Sequence, residues 1–418
     1  MIVSENQVVT SESGDQIRVG RFISGGGQGE AYVATKGKSG QKGVLKVFHQ
    51  QFVNSNTLKR LRFLLGKQLH TECPVLFAPV DLLVDGNILG HYTPFAEGQS
   101  LEHFLGQPNS TFIQQIQLAI ALAHAISVMH NKNIAHGDLH SENLIIERVG
   151  SVLKLHVIDF DNFNAFNHSN APIVPSPPCV GHNLYIAPEL REAFARRKPA
   201  IPRIESDRYA LGVLMHEIIL LSHPAAGNDN SEEEFNQAMC LGEWHQDPAS
   251  PNRPQTNQGG YPATVLNADI RRLFRLAFDL DPARRPTSDD WQTALANAFH
   301  RIYDCPHCNR PFIINSLQFK CPWCNKEFPH LSIRVNRSDI CLINGSTVIG
   351  RTELGGSQQV SGNHALLSRD GPLTWLESRG RNGTYRWNGS GWTRLPDRPV
   401  LVQAGDRLRF ADVEVRLV

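Results

Sequence analysis

The sequence is most informative first in what it does not carry. Its 41 basic and 40 acidic residues leave a net charge of +1, so no global field draws nucleic acid or an anionic membrane. The longest apolar stretches, such as "LGVLMHEIILL" (211–221), are broken by His216 and Glu217 and fall short of the roughly 20 residues a bilayer span needs. The first residues, "MIVSENQVVTSESGD", lack the basic, apolar and small-residue succession of a secretory signal. A cytoplasmic protein with no membrane or nucleic-acid partner is the expectation. Four of the eight cysteines (Cys73, Cys179, Cys240, Cys341) are scattered, which suits a reducing compartment and argues against a disulfide framework. One smaller absence matters more. Between Lys46 and Glu72 there is no Asp or Glu at all.

What is present divides by periodicity. From Ile17 to about Ala96, short apolar blocks ("IRVGRFI", "EAYVAT", "GVLKVF", "PVDLLV", "ILGHYTPF") separated by Gly, Ser, Asn and Asp predict an antiparallel sheet. "NTLKRLRFLLGKQL" (56–69) interrupts them, with Leu58, Leu61, Leu65 and Leu69 on one helical face. From Ser110 onward the period lengthens, and helices are predicted at 110–133, 206–221, 231–241, 267–279 and 288–300. Two Pro-rich segments, 168–180 and 246–262, interrupt this lobe and read as mobile loops. A cysteine module follows at about 303, and then an alternating, turn-rich segment predicts an all-β C-terminus.

"ISGGGQGEAYVA" places Gly25, Gly26, Gly27 and Gly29 in a hairpin, where missing side chains let backbone amides approach polyphosphate oxygens. By itself such a hairpin is more often a turn. Lys46 lies in a strand whose neighbours point to the other face, so its ammonium can sit beneath that loop; a strand lysine facing water is the plain alternative. "HGDLHSEN" then supplies Asp138 and Asn143, and "LHVIDF" ends on Asp159. A carboxylate beside a nucleophile, with an amide and a carboxylate for hard divalent cations, is the set that phosphoryl transfer requires.

With "APE" (187–189), "SDRYALGVLMHE" (206–217) and "DPARRPT" (281–287), these motifs occur in one order over roughly residues 15 to 300. In that order they resemble the eukaryotic-like (Hanks-type) bacterial Ser/Thr protein kinases. The resemblance implies a bilobal kinase fold at 15–302 behind an N-terminal extension (1–14), with ATP and Mg2+ (or Mn2+) as cofactors and a protein hydroxyl as acceptor. Lys46 would bind phosphates, Asp138 would act as base, and Asn143 and Asp159 would hold the metal. Glu189 would pair with Arg285, and Asp207 would brace the catalytic loop. Four departures stand out: Ser24 for the first loop glycine, His140 for a lysine, Gly137 for an arginine, and the missing helix acid, whose place Leu58 would take. Lys46 then needs another partner, such as Asp159, or a rearranged helix. Asp161, where the family carries glycine, reads as a solvated turn residue. The rival reading is a pseudokinase scaffold that binds nucleotide or protein without catalysis.

Cys305, Cys308, Cys321 and Cys324 stand as CxxC, twelve residues, CxxC. Two knuckles of two thiolates close a tetrahedral, structural Zn2+ site, and the module (303–330) resembles a zinc ribbon. Residues 331–418 contain "VIGRTELGG", "VSGNHALL" and "RNGTY". They resemble a forkhead-associated (FHA) domain, an all-β sandwich. By that resemblance Arg351 and Ser361 would bind phosphothreonine and Asn382 the ligand main chain, with His364 and Gly383 architectural. Its ligand would be a phosphothreonine-containing protein or the chain's own phosphorylated segment. A metal-dependent phosphatase is the further partner that the resemblance suggests. The whole is an α+β multidomain chain.

Overall fold

A computed structural model describes residues 2–38, 40–107, 110–177, 181–227, 231–254, 260–314, 320–327, 331–335, 338–342 (backbone only), 346–370 and 372–418. Cys179 and the side chain of Cys341 thus lie outside the described residues, as do 178–180 and 255–259 of the two Pro-rich loops. The described remainder of those loops carries no helix or strand beyond an isolated bridge between Phe166 and Pro172. The chain divides into two compact units, Met1–Ala263 with Asp269–Ala296, and Asn297–Val418 with Thr264–Ala268.

The first unit opens with a six-stranded antiparallel sheet. Its strands are β1 (Val8–Thr10), β2 (Gln16–Gly25), β3 (Gly29–Lys36), β4 (Gln41–Phe48), β5 (Asp81–Asp85) and β6 (Ile88–Pro94), in the order β1-β2-β3-β4-β6-β5. Before β2, Val8–Thr10 already joins this sheet: β1 pairs with β2, and Val3 and Val9 join the core of Ile17, Val19, Tyr32, Leu45 and Val47. Helix α1 (Ser55–Gly66) starts where the Asn54 side chain accepts from the amides of Asn56 and Thr57. It stops before Leu69 because Gln68 takes a left-handed conformation at φ 48°. Its buried positions are Arg60, Leu61 and Leu64.

The helical lobe is built around α2 (Phe112–His130), which begins with a capping box between Thr111 and Gln114. This helix, with 19 residues and a mean hydropathy of 1.5, is long and apolar enough to cross a membrane. The sequence reading places a helix at 110–133 but takes 211–221 as its example of the longest apolar stretches. Here it is a core helix, with Ile116, Leu122, Ile126 and Met129 fully buried. Two further helices, α3 (Pro188–Ala195) and α4 (Ile204–Leu220), complete the part that matters for the site. A hairpin of β7 (Leu144–Val149) and β8 (Val152–Val157) leads directly into Asp159.

The second unit begins with a small hairpin in which Ile302–Asp304 pairs with Pro311–Ile313. Ten strands follow: β9 (Ser332–Val335), β10 (Ser338–Leu342), β11 (Ser346–Ile349), β12 (Ala365–Asp370), β13 (Leu373–Ser378), β14 (Thr384–Trp387), β15 (Trp392–Arg394), β16 (Val400–Val402), β17 (Arg407–Phe410) and β18 (Val413–Leu417). They form two sheets, β10-β9-β18-β17-β14-β15 and β11-β12-β13-β16. Ile333, Ile349, Leu367, Leu376, Leu408 and Phe410 from both sheets share one core, the sandwich that alternating patterning predicts.

Candidate active site and phosphate-binding loops

On β4, Leu45 and Val47 are fully buried in the sheet core, so the intervening Lys46 points to the opposite face. There it lines a cavity of about 540 Å3 with Gly25, Gly26, Gly27, Gly29, Asp138 and Asp159. Directly across the β4/β6 ladder from Lys46 is His91. The Lys46 ammonium lies 3.0 and 3.1 Å from the two Asp159 oxygens and 2.5 Å from Oδ2 of Asp161. The other Asp161 oxygen, Oδ1, lies 2.9 Å from Nε2 of His91.

Asp161 is therefore not the solvated turn residue of the sequence reading. Its side chain is 3% exposed. Burial alone would raise its pKa, but Lys46 and His91 outweigh that and hold the carboxylate well below its usual range. Burial likewise opposes the Lys46 charge, and Asp161 and Asp159 together push that ammonium above its ordinary pKa. Nor does Leu58 stand in for the missing acid: it packs beside Phe48, Leu61, Leu82 and Leu89. From α1, Arg60 reaches the Asp161 segment through the carbonyls of Asp161 and Phe163, both at 2.7 Å. Burial brings its guanidinium down to about 10 against the opposing pull of Asp161, so it stays charged at neutral pH.

Asp138 is fixed from two sides. Asn162 donates to its Oδ2 at 2.9 Å, and Gln28 of the glycine hairpin donates in turn to Asn162 at 2.7 Å. Asn143 donates to the Asp138 carbonyl at 2.9 Å, which leaves its amide oxygen as the donor a hard cation needs. Asn162 and Gln28 were not singled out from sequence, because nothing in their local pattern distinguishes them from turn residues. Gly137 has φ +77°, and a Cβ there would meet the Asn162 carbonyl at 2.3 Å. The departure from the family pattern at this position thus lets two loops approach closely enough for the Asn162–Asp138 bond. Asp159 itself sits at φ 58°, a left-handed conformation that Asp tolerates at some cost.

His140, which replaces a lysine, lies 3.7 Å from Asp138 and stacks on His182 with ring centroids 5.0 Å apart. Burial first, and then the neighbouring His182 and His136, lower its pKa in spite of Asp138. The lowered pKa disfavours the charge that a lysine would carry at this position. Asp207 accepts from the amides of His136 (2.6 Å) and Gly137 (3.0 Å), and Glu189 takes two bonds from the buried Arg285 at 2.9 and 2.7 Å. Both braces have the partners expected of them.

In the second unit the Sγ atoms of Cys305, Cys308, Cys321 and Cys324 lie within 4.8 Å of one another. Cys305 and Cys324 are 3.7 Å apart, and Cys308 and Cys321 3.8 Å. A Zn–S bond of about 2.3 Å implies tetrahedral edges of about 3.8 Å, so this donor set fits zinc. The amides of His307 and Trp323 point at Cys305 and Cys321 at 3.4 Å, as in thiolate knuckles.

Arg351, Ser361 and Asn382 come together at one end of the sandwich. Arg351 Nε donates to the Val360 carbonyl at 3.0 Å, and Asn382 donates to the Gln359 carbonyl at 2.7 Å. The buried His364 ties the loops, with Nδ1 accepting from the Ser361 amide at 3.1 Å and Nε2 donating to the Gly383 carbonyl at 2.9 Å. A Cβ on Gly350 would strike the Gly362 carbonyl at 1.9 Å, so only glycine lets the Arg351 loop close on Ser361. Arg379, two residues before Arg381, is engaged with Glu377 at 3.1 and 2.9 Å.

Comparison with known proteins agrees with both regions. Residues 17–299 match the protein kinase domain family and residues 334–411 the FHA domain family. Over 296 residues (64% of the chain) it is 25% identical to the serine/threonine-protein kinase PknD of Protochlamydia amoebophila. Over 286 residues (67%) it is 25% identical to the probable serine/threonine-protein kinase PknB of Corynebacterium glutamicum. Over 287 residues (67%) it is 24% identical to the serine/threonine-protein kinase PrkC of Bacillus subtilis. The aligned parts span 29%, 41% and 40% of those relatives.

Proposed function

The chain belongs to the protein kinase family, and from that premise we propose that it is a serine/threonine protein kinase that transfers the γ-phosphoryl group of ATP to protein hydroxyls. The observation that carries this reading is Asp138, held by Asn162 at the floor of the glycine-lined cavity. There it can orient an acceptor hydroxyl and take its proton. Lys46, fixed by carboxylates, presents a point charge to phosphate oxygens. Asp159 and Asn143 offer the oxygen donors that fit Mg2+ or Mn2+, and such an ion neutralises polyphosphate charge when bound. The glycine hairpin excludes side chains from the phosphate path, and Gln28 couples it to Asn162 and hence to the base.

The FHA domain, in this reading, recruits a phosphothreonine-containing protein, or the chain's own phosphorylated segment, through Arg351, Ser361 and Asn382. The four thiolates hold a structural zinc, and the protein works in the cytoplasm opposite a metal-dependent phosphatase. A second reading, a nucleotide-binding scaffold without catalysis, draws on the contact of Lys46 with Asp159 and on the absence of any acid on α1. The two separate in one experiment. Full-length protein with Mg2+ and γ-labelled ATP should phosphorylate itself or a generic acceptor on Ser or Thr, and Asp138→Asn should not. Nucleotide binding without transfer would favour the scaffold.

A further inference from the structure

Two carboxylates reach Lys46, and they differ in kind. Asp159 is 36% exposed to the cavity. Asp161 is sealed, with one oxygen on Lys46 and the other on His91. Since Lys46 and His91 face each other across β4 and β6, one carboxylate bridges two adjacent strands. Its loop is pinned by Arg60 of α1, which donates to the carbonyls of Asp161, Phe163 and Pro175, each at 2.7 Å. The same guanidinium sits over the Phe163 ring at 4.5 Å.

We propose that Asp161 is the standing counter-ion of Lys46 and that Arg60 is the positioning residue that keeps it there, so that Asp159 is free to move between Lys46 and a metal ion. The significance of this division of labour rests on the kinase reading; the division itself does not. A carboxylate that must exchange between ligands has to be reachable from the cavity, and Asp159 is. A carboxylate that anchors a half-buried ammonium is most effective where water cannot replace it, and Asp161 is there. Arg60 touches neither Lys46 nor the reacting groups and acts through the Asp161 backbone. The polarity at α1 is thereby inverted: the helix contributes a cation to the Asp161 loop, and the loop contributes the anion to Lys46.

The test needs no nucleotide. In the full-length protein, the rate at which an amine-reactive ester acylates Lys46 is followed by mass spectrometry. Asp161→Asn, an isosteric change, should speed acylation severalfold, since it removes the sealed carboxylate held 2.5 Å from the ammonium. Asp159→Asn should speed it less. Arg60→Ala should speed it and Arg60→Lys less so, while Arg60→Ala on top of Asp161→Asn should add nothing. A wild-type rate in Asp161→Asn, a larger effect from Asp159→Asn, or additive effects of Arg60→Ala and Asp161→Asn would overturn the proposal. In a kinetic arm, Asp161→Asn should raise the KM for ATP while keeping the Mg2+ dependence, whereas Asp159→Asn should abolish turnover. Wild-type protein that transfers no phosphate would refute the kinase reading, and the acylation pattern would still decide the role of Asp161.

Discussion

On the proposed function two regions of this chain handle phosphate, and they hold their cations in opposite ways. In the cleft of the first unit, Lys46 is clamped between Asp159 and Asp161. In the sandwich, Arg351 leans on a carbonyl and has no carboxylate partner among the described residues. A cation that must stay in place while a substrate passes is neutralised beforehand by fixed anions. A cation whose task is to capture a dianion keeps its charge for the ligand. On the proposed function, the same contrast separates a catalytic site from a reader.

The contrast can be broken at either end. The largest effect is expected at Asp138: its replacement by Asn should reduce phosphate transfer by about two to four orders of magnitude while leaving phosphothreonine-peptide binding unchanged. Next comes Arg351→Ala, which should weaken binding of such a peptide by about 10- to 100-fold, the worth of a charge-assisted contact, with transfer to a generic acceptor intact. Equal affinity of the wild type for phosphorylated and unphosphorylated peptide would refute the reader assignment. Gly350→Ala should cost about tenfold or less in the same titration, because the new Cβ meets the Gly362 carbonyl and separates loops without removing the charge.

A smaller effect sharpens the comparison through pH. Burial raises the Glu217 pKa to about 7, against the hydrogen bond from Tyr185 at 2.8 Å. Between about 4.5, the ordinary glutamate value, and 7, the folded state keeps a proton that the unfolded chain has lost. Stability of the first unit should therefore fall as pH rises through that window and level off above it. Because Glu217 is only half-buried, the fall should be about 1–3 kcal/mol. Glu217→Gln should flatten it in denaturant titrations at pH 5 and pH 8.

How far the sequence reached differs along the same line. The cysteine spacing, the glycine hairpin and the order of Lys46, Asp138, Asn143 and Asp159 were legible because each is a local pattern whose chemistry depends on near neighbours. Asp161 was misread because its partners come from β4, β6 and α1, over a hundred positions away for Lys46 and Arg60. An acid beside Phe160 in a loop looks like a solvated turn. Arg60 escaped notice for the converse reason: an arginine within a leucine-rich helix reads as surface, and only the packing buries it. Likewise β1 is three residues long and gains its identity from pairing with β2. What the sequence did flag was the deficit itself, a lysine without an acid on the neighbouring helix.

The most direct test of that division of labour is a crystal structure of the full-length protein with Mg2+ and a non-hydrolysable ATP analogue. The expected result is the metal on Asp159 and Asn143, with the Lys46 ammonium still within about 4 Å of Asp161, the usual limit of an ion pair. A metal bound by Asp161, or a Lys46 that has left Asp161 for another acid, would contradict it.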